Sequence, residues 1–288
     1  LAYLQRVGVR FYRIAPAFLP FPASTASVAS TDDALAECHD QIALLSQHIA
    51  EQGVRLTVHL NHSIALGSGR ADAVTIASML AQIEQYAAFF DHLTGHPDSV
   101  IVVHVGGKDT HAATRFVSRY NMLSPQARAR LVVEHDSAGA SLGTVLWLHQ
   151  QCGIPVVFDY LHWQLHNPEH FPLDIALGLS LATWPVEVRP KVHLSTARSE
   201  AHLIPARRKQ NARVIPPRPG QHADFVAVGD AIALLRAARG LPAFDVMIEA
   251  KAGDVALMRL REEIPRHAPD LAPLVADGRK QLPSETTA

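Results

Sequence analysis

Only two cysteines, Cys38 and Cys152, occur in the 288 residues. So few excludes a disulfide framework and fits a reducing, cytoplasmic setting. No uninterrupted apolar run approaches the roughly 18 residues that a membrane span requires, so no membrane partner is expected. The opening LAYLQRVGVR lacks both the profile of a secretory signal and an initiator methionine, and the sequence reads as a fragment. There is no P-loop, no dinucleotide fingerprint and no G-x-S-x-G elbow. Net charge is only -1, which does not advertise a nucleic-acid partner. Nothing signals oligomerisation, and a monomer is expected.

What is present points to one large α/β domain. Hydrophobic residues make up 48% and charged residues 18% of the chain, a balance that supports a packed core. Apolar runs rich in Val, Ile and Leu lie near 9–14, 54–60, 100–105, 130–134, 155–159, 190–194 and 244–249. They do not alternate cleanly, as expected of strands covered on both faces. Helical stretches lie between most of them. DDALAECHDQIALLSQHIAE, with Thr31 as candidate N-cap, ADAVTIASMLAQIEQYAAFFDHL, SLGTVLWLHQQ, LDIALGLSLA and VGDAIALLRAARG are examples. Repeated β-then-α order predicts a parallel sheet with helices outside. Seven strands are one short of a TIM (β/α)8-type barrel. LAYLQRVG reads as the end of a helix, so the barrel is expected to lack its first strand in this chain. Residues 1–261 are assigned to the barrel and 262–288 to a loosely patterned C-terminal tail. The long irregular segment from about 195 to 224 reads as a functional loop.

Chemistry-bearing residues recur at the strand ends. His59 closes RLTVHL, His104 closes VIVVHV, Glu134 closes ARLVVE and Asp159 closes IPVVFD, with His162 three residues on. Lys191 and His193 lie in PKVHLST and would share a face, two residues apart. Glu249 closes DVMIE. In a barrel these ends converge on one open face. Crowded acids repel and shift each other's pKa unless a cation joins them. Imidazole and carboxylate donors suit zinc, manganese or iron, and this inventory exceeds one zinc site. Two or three divalent ions with bridging carboxylates would activate water and stabilise phosphoryl oxygens. Taken singly, each residue has a plainer reading. His59 and His104 fit satisfied interior histidines, and Glu134 and Asp159 fit salt bridges to arginine. Glu249 could pair with Lys191 or Lys251, and Arg13 could form a salt bridge or hold a phosphate. Lys191 could neutralise a carboxylate or phosphate, or sit in an interior ion pair. His62, His166 and His222 lie in loops and fit surface positions as well as substrate or metal contact. Trp163, beside His162, fits packing or a place at the open face. Gly106 and Gly107 would let the chain turn sharply after His104. Between 187 and 218 there are eight Lys or Arg and two Glu, including Arg207, Arg208 and Lys209, a basic patch suited to phosphates or to solvent.

The ordered combination RFYRIAPAFLPF, RLTVHLN, VVHVGG, LVVEHD, IPVVFDYLHWQLHNP, RPKVHLST, GQHADFV and DVMIEAK resembles the ultraviolet damage endonucleases. That DNA-repair family is related in fold to metal-dependent apurinic endonucleases. The similarity runs from about residue 7 to about 251. It implies an eight-strand barrel holding three divalent ions, manganese favoured with zinc or magnesium as alternatives. It also implies incision of damaged double-stranded DNA on the 5′ side of a lesion, leaving a 3′-hydroxyl. His59 and His104 then match ligands of one ion, with Glu134 bridging to the next. Asp159, His193 and Glu249 match the remaining ligands of the central ion, and His162 and His222 match the third. Lys191 matches a lysine that the family can carry in carboxylated form. Glu134, Lys191 and His193 would carry catalysis, and Arg13, His62, Trp163, Arg207, Arg208 and Lys209 would meet the substrate. After His59 the family usually continues with Pro-Gly-Gln-Tyr-like residues that probe the damaged pair, whereas here Leu60, Asn61, His62 and Ser63 follow. Two rival readings are a sugar isomerase or epimerase of the xylose-isomerase barrel type and a non-catalytic DNA-binding relic.

Overall fold

The computed structural model describes residues 1–19, 35–206 and 211–275. All seven expected strands form: β1 (Phe11–Ile14), β2 (Arg55–His59), β3 (Val100–His104), β4 (Leu131–Glu134), β5 (Val156–Asp159), β6 (Lys191–Leu194) and, last in sequence, β11 (Asp245–Ile248). They pair in parallel in the order β1-β2-β3-β4-β5-β6-β11. Each is shorter than its apolar run by a residue or two at the ends, where the chain turns into loops. Among the described residues β1 and β11 are not hydrogen-bonded to each other, so the barrel stays open along one seam. A cavity of about 1010 Å3 lies beside that seam, with Phe11, Val246, Ile248 and Leu260 in its wall.

The helices cover the outside. The longest, Ala73–Leu93, starts at Asp72, whose side chain accepts the Thr75 amide hydrogen bond. Its Met79, Ile83, Tyr86, Phe90 and Leu93 are buried at the spacing of one helical face. Each such side chain contributes roughly 1.5–3 kcal/mol by leaving water. Helices Leu142–Cys152, Leu173–Leu181 and Val228–Ala237 occupy the expected stretches. Helix His39–Gln52 starts later than the expected stretch, after Cys38, which offers it no side-chain cap; Thr31, the expected cap, lies outside the described residues. Ser141, at the head of Leu142–Cys152, caps that helix by accepting from the Thr144 amide.

Two expectations change. A tail does not begin at 262. Helix Asp254–His267 runs through that point, and Ile264, Ala268 and Leu271 are buried in the main core. Charged residues on the outer face of this helix hide the apolar stripe that holds it down. Second, the segment from 195 to 224 is not simply irregular. It forms two antiparallel ribbons, β7 (Ala197–Arg198) with β10 (Arg218–His222), and β8 (His202–Ile204) with β9 (Arg213–Ile215). Strands this short, set among prolines, leave little periodic signal.

Within the barrel the two-residue period separates two layers. Val100, Val102, Val132, Val157, Trp184 and Val188 make an apolar plug. The next inward positions toward the C-terminal strand ends are His104, Glu134 and Asp159, all buried. Parallel register aligns His104 with Glu134 and Asp159 with His193. The apolar plug thus forms the floor of a polar chamber.

Candidate metal centre

Glu134 is the hub of the chamber. Its carboxylate, fully buried, lies 2.8 Å from His59 Nε2 and 3.9 Å from His104 Nε2 through Oε2. Through Oε1 it lies 3.1 Å from His193 Nδ1 and 3.2 Å from His162 Nδ1. His193 Nδ1 is also 3.5 Å from Glu249 Oε1 and 3.9 Å from Asp159 Oδ2. Two groups of ligating atoms, each mutually within 4.8 Å, result: His59, His104 and Glu134, and Glu134, Asp159, His193 and Glu249. Glu134 belongs to both.

The donors fit divalent cations. Glu134 Oε1, Asp159 Oδ2, His104 Nδ1 and both ring nitrogens of His193 are buried without a hydrogen-bond partner. Buried polar atoms in such numbers normally find partners, and oxygen and imidazole nitrogen converging in threes and fours are the donors of zinc and manganese sites. The titration pattern agrees. Burial alone would raise the Glu134 carboxyl, but the His193 and His104 imidazoles outweigh it and hold it well below its ordinary value. Burial, reinforced by Glu134 and Glu249, drives Asp159 well above its ordinary value despite His162. Burial pushes His193 down to about 4, leaving it neutral and able to donate a lone pair.

The remaining candidates fall at different distances from this hub. His222 Nε2 lies 3.7 Å from Glu249 Oε2. His162 turns Nδ1 toward the His135 carbonyl oxygen, 2.9 Å away. Among the described residues neither joins a cluster of three ligating groups. Lys191 is fully buried, donates to Thr57 Oγ1 at 3.2 Å and is lowered to about 7, by burial first and then by Arg13. Its Nζ also lies over the Phe11 ring, 5.8 Å from the centroid. Arg13 is a third exposed and pairs with Glu249. His62 is exposed and stacks on His104, with ring centroids 4.8 Å apart and planes at 19°. Trp163 is half-buried. Its indole N–H donates to the Phe171 carbonyl oxygen at 2.9 Å, and its ring packs against Phe158 and Tyr160. His166 Nδ1 lies 3.1 Å from the Asp136 carbonyl oxygen. Arg207, Arg208 and Lys209 lie outside the described residues. Of the basic segment that is described, Arg198 is buried and donates to the Pro216 carbonyl oxygen, so it braces the ribbon, while Arg213 and Arg218 are exposed.

Two supporting residues escaped the sequence reading. Thr57 faces inward two positions before His59 and receives Lys191; its place in RLTVH was the available signal. Gly67 lies in the stretch ALGSGR, away from every strand-like run. Its amide donates to Val105 O at 2.7 Å, and a Cβ there would collide with the carbonyl oxygens of Gly106, Val105 and Ala112. Gly106 and Gly107 themselves turn through φ +68° and +85°, the left-handed region expected of a sharp bend. Gly67→Ala is therefore expected to push the loop after His104 off its seat, at a cost of about 1–3 kcal/mol. Thermal unfolding together with divalent-ion content measures it, and an unchanged midpoint with full ion content contradicts it.

A parallel barrel sheet here gathers histidines and carboxylates at its C-terminal strand ends, in clusters that could hold a divalent metal. The model of the UV-endonuclease UvdE family matches residues 1–273. The chain belongs to that family. It is 29% identical over 282 residues to a UV-damage endonuclease of Neurospora crassa, covering 90% of this chain and 38% of that one. It is 33% identical over 171 residues to a UV DNA damage endonuclease of Bacillus velezensis, covering 58% of this chain and 48% of that one. The chain thus spans less than half the length of these two relatives. Among solved structures, the crystal structure of SacUVDE superposes with a TM-score of 0.70 at 21% identity, over 92% of this chain and 83% of that chain. D-psicose 3-epimerase from Clostridium cellulolyticum H10 superposes with a TM-score of 0.55 at 14% identity, over 95% and 91%. Both share the barrel fold. No helix among the described residues is long and apolar enough to cross a membrane.

Proposed function

We propose that this chain is a divalent-metal-dependent endonuclease that hydrolyses the backbone of ultraviolet-damaged duplex DNA on the 5′ side of the lesion. The observation that carries the reading is Glu134, one buried carboxylate shared by two ligand clusters, in a chain matched to the UV-endonuclease family along most of its length. His59, His104 and Glu134 would hold one ion, and Glu134, Asp159, His193 and Glu249 a second. His162 and His222 flank that pair and offer imidazoles to a third. Bound there, divalent ions, manganese foremost and zinc or magnesium next, supply Lewis acidity and an activated water for phosphodiester hydrolysis.

The chain's own residues supply the rest. Neutral His193 presents both ring nitrogens without competing hydrogen bonds. His135, lowered to about 3 by burial, stays neutral and accepts the Asp159 amide at 3.0 Å, which fixes that carboxylate's backbone. Arg13 orients Glu249 and keeps part of its guanidinium in solvent for a phosphate. His62 stands at the mouth, where the imidazole can contact a displaced base. Arg213 and Arg218, exposed on the ribbons, would meet the phosphates of a polyanion. Lesions lower the cost of distorting the duplex toward the chamber. With its pKa near 7, Lys191 reaches the uncharged amine that carboxylation requires.

Nicking of ultraviolet-irradiated and abasic duplexes, with manganese and with chelator, tests the proposal beside a ketose-epimerisation assay. Lesion-dependent, manganese-dependent incision is expected. Epimerisation without incision supports the isomerase reading, and DNA binding without incision by the ion-loaded chain supports the relic.

A further inference from the structure

Outside the barrel chamber, the two ribbons gather a second set of ligating side chains. Glu200 lies between β7 and β8, His202 opens β8, and Asp224 lies two residues beyond β10. His202 Nε2 is 3.8 Å from Glu200 Oε1 and 3.9 Å from Asp224 Oδ1. Both spans exceed a hydrogen bond, and Nε2, although the ring is partly exposed, is itself buried without a hydrogen-bond partner. The three ligating atoms lie within 4.8 Å of one another. Two atoms each ~2.1 Å from a zinc ion can lie up to ~4.2 Å apart, so one ion bridges His202 to either carboxylate with small side-chain rotations. No lysine or arginine among the described residues pairs with Glu200 or Asp224.

The backbone around the triad is already fastened. Asp224 N–H donates to Glu200 Oε1 at 3.1 Å, and Ala252 N–H donates to Asp224 O at 3.0 Å, joining the ribbon to the loop after β11. His202 sits opposite Ile215 in the second ribbon. An ion here would therefore join the Glu200–His202 stretch to the chain just after β10, which the Ala252 bond already fastens to the barrel rim. We infer that Glu200, His202 and Asp224 form a further divalent-cation site, distinct from the chamber, that cross-links the 195–224 segment within itself beside the barrel rim. One imidazole and two carboxylates, completed by water, suit zinc or manganese. The site stands on these residues alone and does not depend on the nuclease reading.

The test uses the full chain with Zn2+ or Mn2+ alone. Bound metal per chain is expected to fall by one ion in Glu200→Gln/Asp224→Asn and in His202→Ala. Zn2+ should slow tryptic cleavage within 195–224 at least tenfold in the parent, leave those variants unprotected, and still protect Glu134→Gln, whose chamber is impaired. Crystals of the unmodified chain soaked in Zn2+ should show an anomalous peak between the three side chains, a readout independent of how the variants fold. Unchanged ion content in the variants, or no peak in the parent, overturns the inference.

Discussion

Glu134→Gln is expected to reduce nicking by at least about 10³-fold while the chain remains folded. The substitution keeps the volume and removes one negative charge. Among the described residues that charge alone lies within 4 Å of four histidines, at 2.8, 3.1, 3.2 and 3.9 Å. It is also the only group common to both clusters. Its loss weakens two ion sites at once, and a 10³-fold effect corresponds to about 4 kcal/mol of transition-state stabilisation. Incision rate, metal content and circular dichroism measure it together. Retained nicking with a full complement of ions would show that the hub is dispensable and remove the basis of the proposed function.

Stripping divalent ions is the second large perturbation. Without cations the chamber holds three buried carboxylates against one another, and Asp159 bears the cost, its carboxyl held well above the usual range by burial and then by Glu134 and Glu249. An ion at a hundred times its Kd stabilises the fold by ~2.7 kcal/mol. Two such ions raise the melting midpoint by on the order of 10 °C in a domain of this size. Chelation should lower the midpoint accordingly. Asp159→Asn should then invert the order, melting above the parent in chelator and below it in manganese. The sign follows from linkage. An acid whose folded pKa is raised costs nothing below its unfolded pKa, near 4, and costs fully above its folded one. The gap in chelator should therefore widen as pH rises and close toward pH 4. Equal midpoints with and without chelator at pH 8 would count against ion binding in the chamber.

All seven strands of the barrel could be read from the sequence because each carries its own signal, an apolar core run with a polar residue at or near its end. The same signal pointed to His59, His104, Glu134, Asp159, His193 and Glu249, which the fold brings to one chamber. It was silent where local pattern and tertiary role diverge. Trp163 lies beside His162 in sequence, yet its ring is turned into packing against Phe158 and Tyr160. Arg198 looked like part of a basic surface and is buried as a brace. Helix Asp254–His267 concealed its buried Ala256, Leu260 and Ile264 among charges. Glu200, His202 and Asp224 meet only because the antiparallel pairing of β7 with β10 folds the insertion back on itself, and no spacing rule anticipates that.

The open seam divides the chamber mechanically. β4, which carries Glu134, has bonded neighbours on both sides, whereas Arg13 lies on β1 and Glu249 just after β11, the two strands that among the described residues have an unbonded flank. The ion pair between those two residues is a strut across the gap. Cations held by Glu134 would therefore be seated on strands bonded along both edges, while the Arg13–Glu249 pair borders the seam.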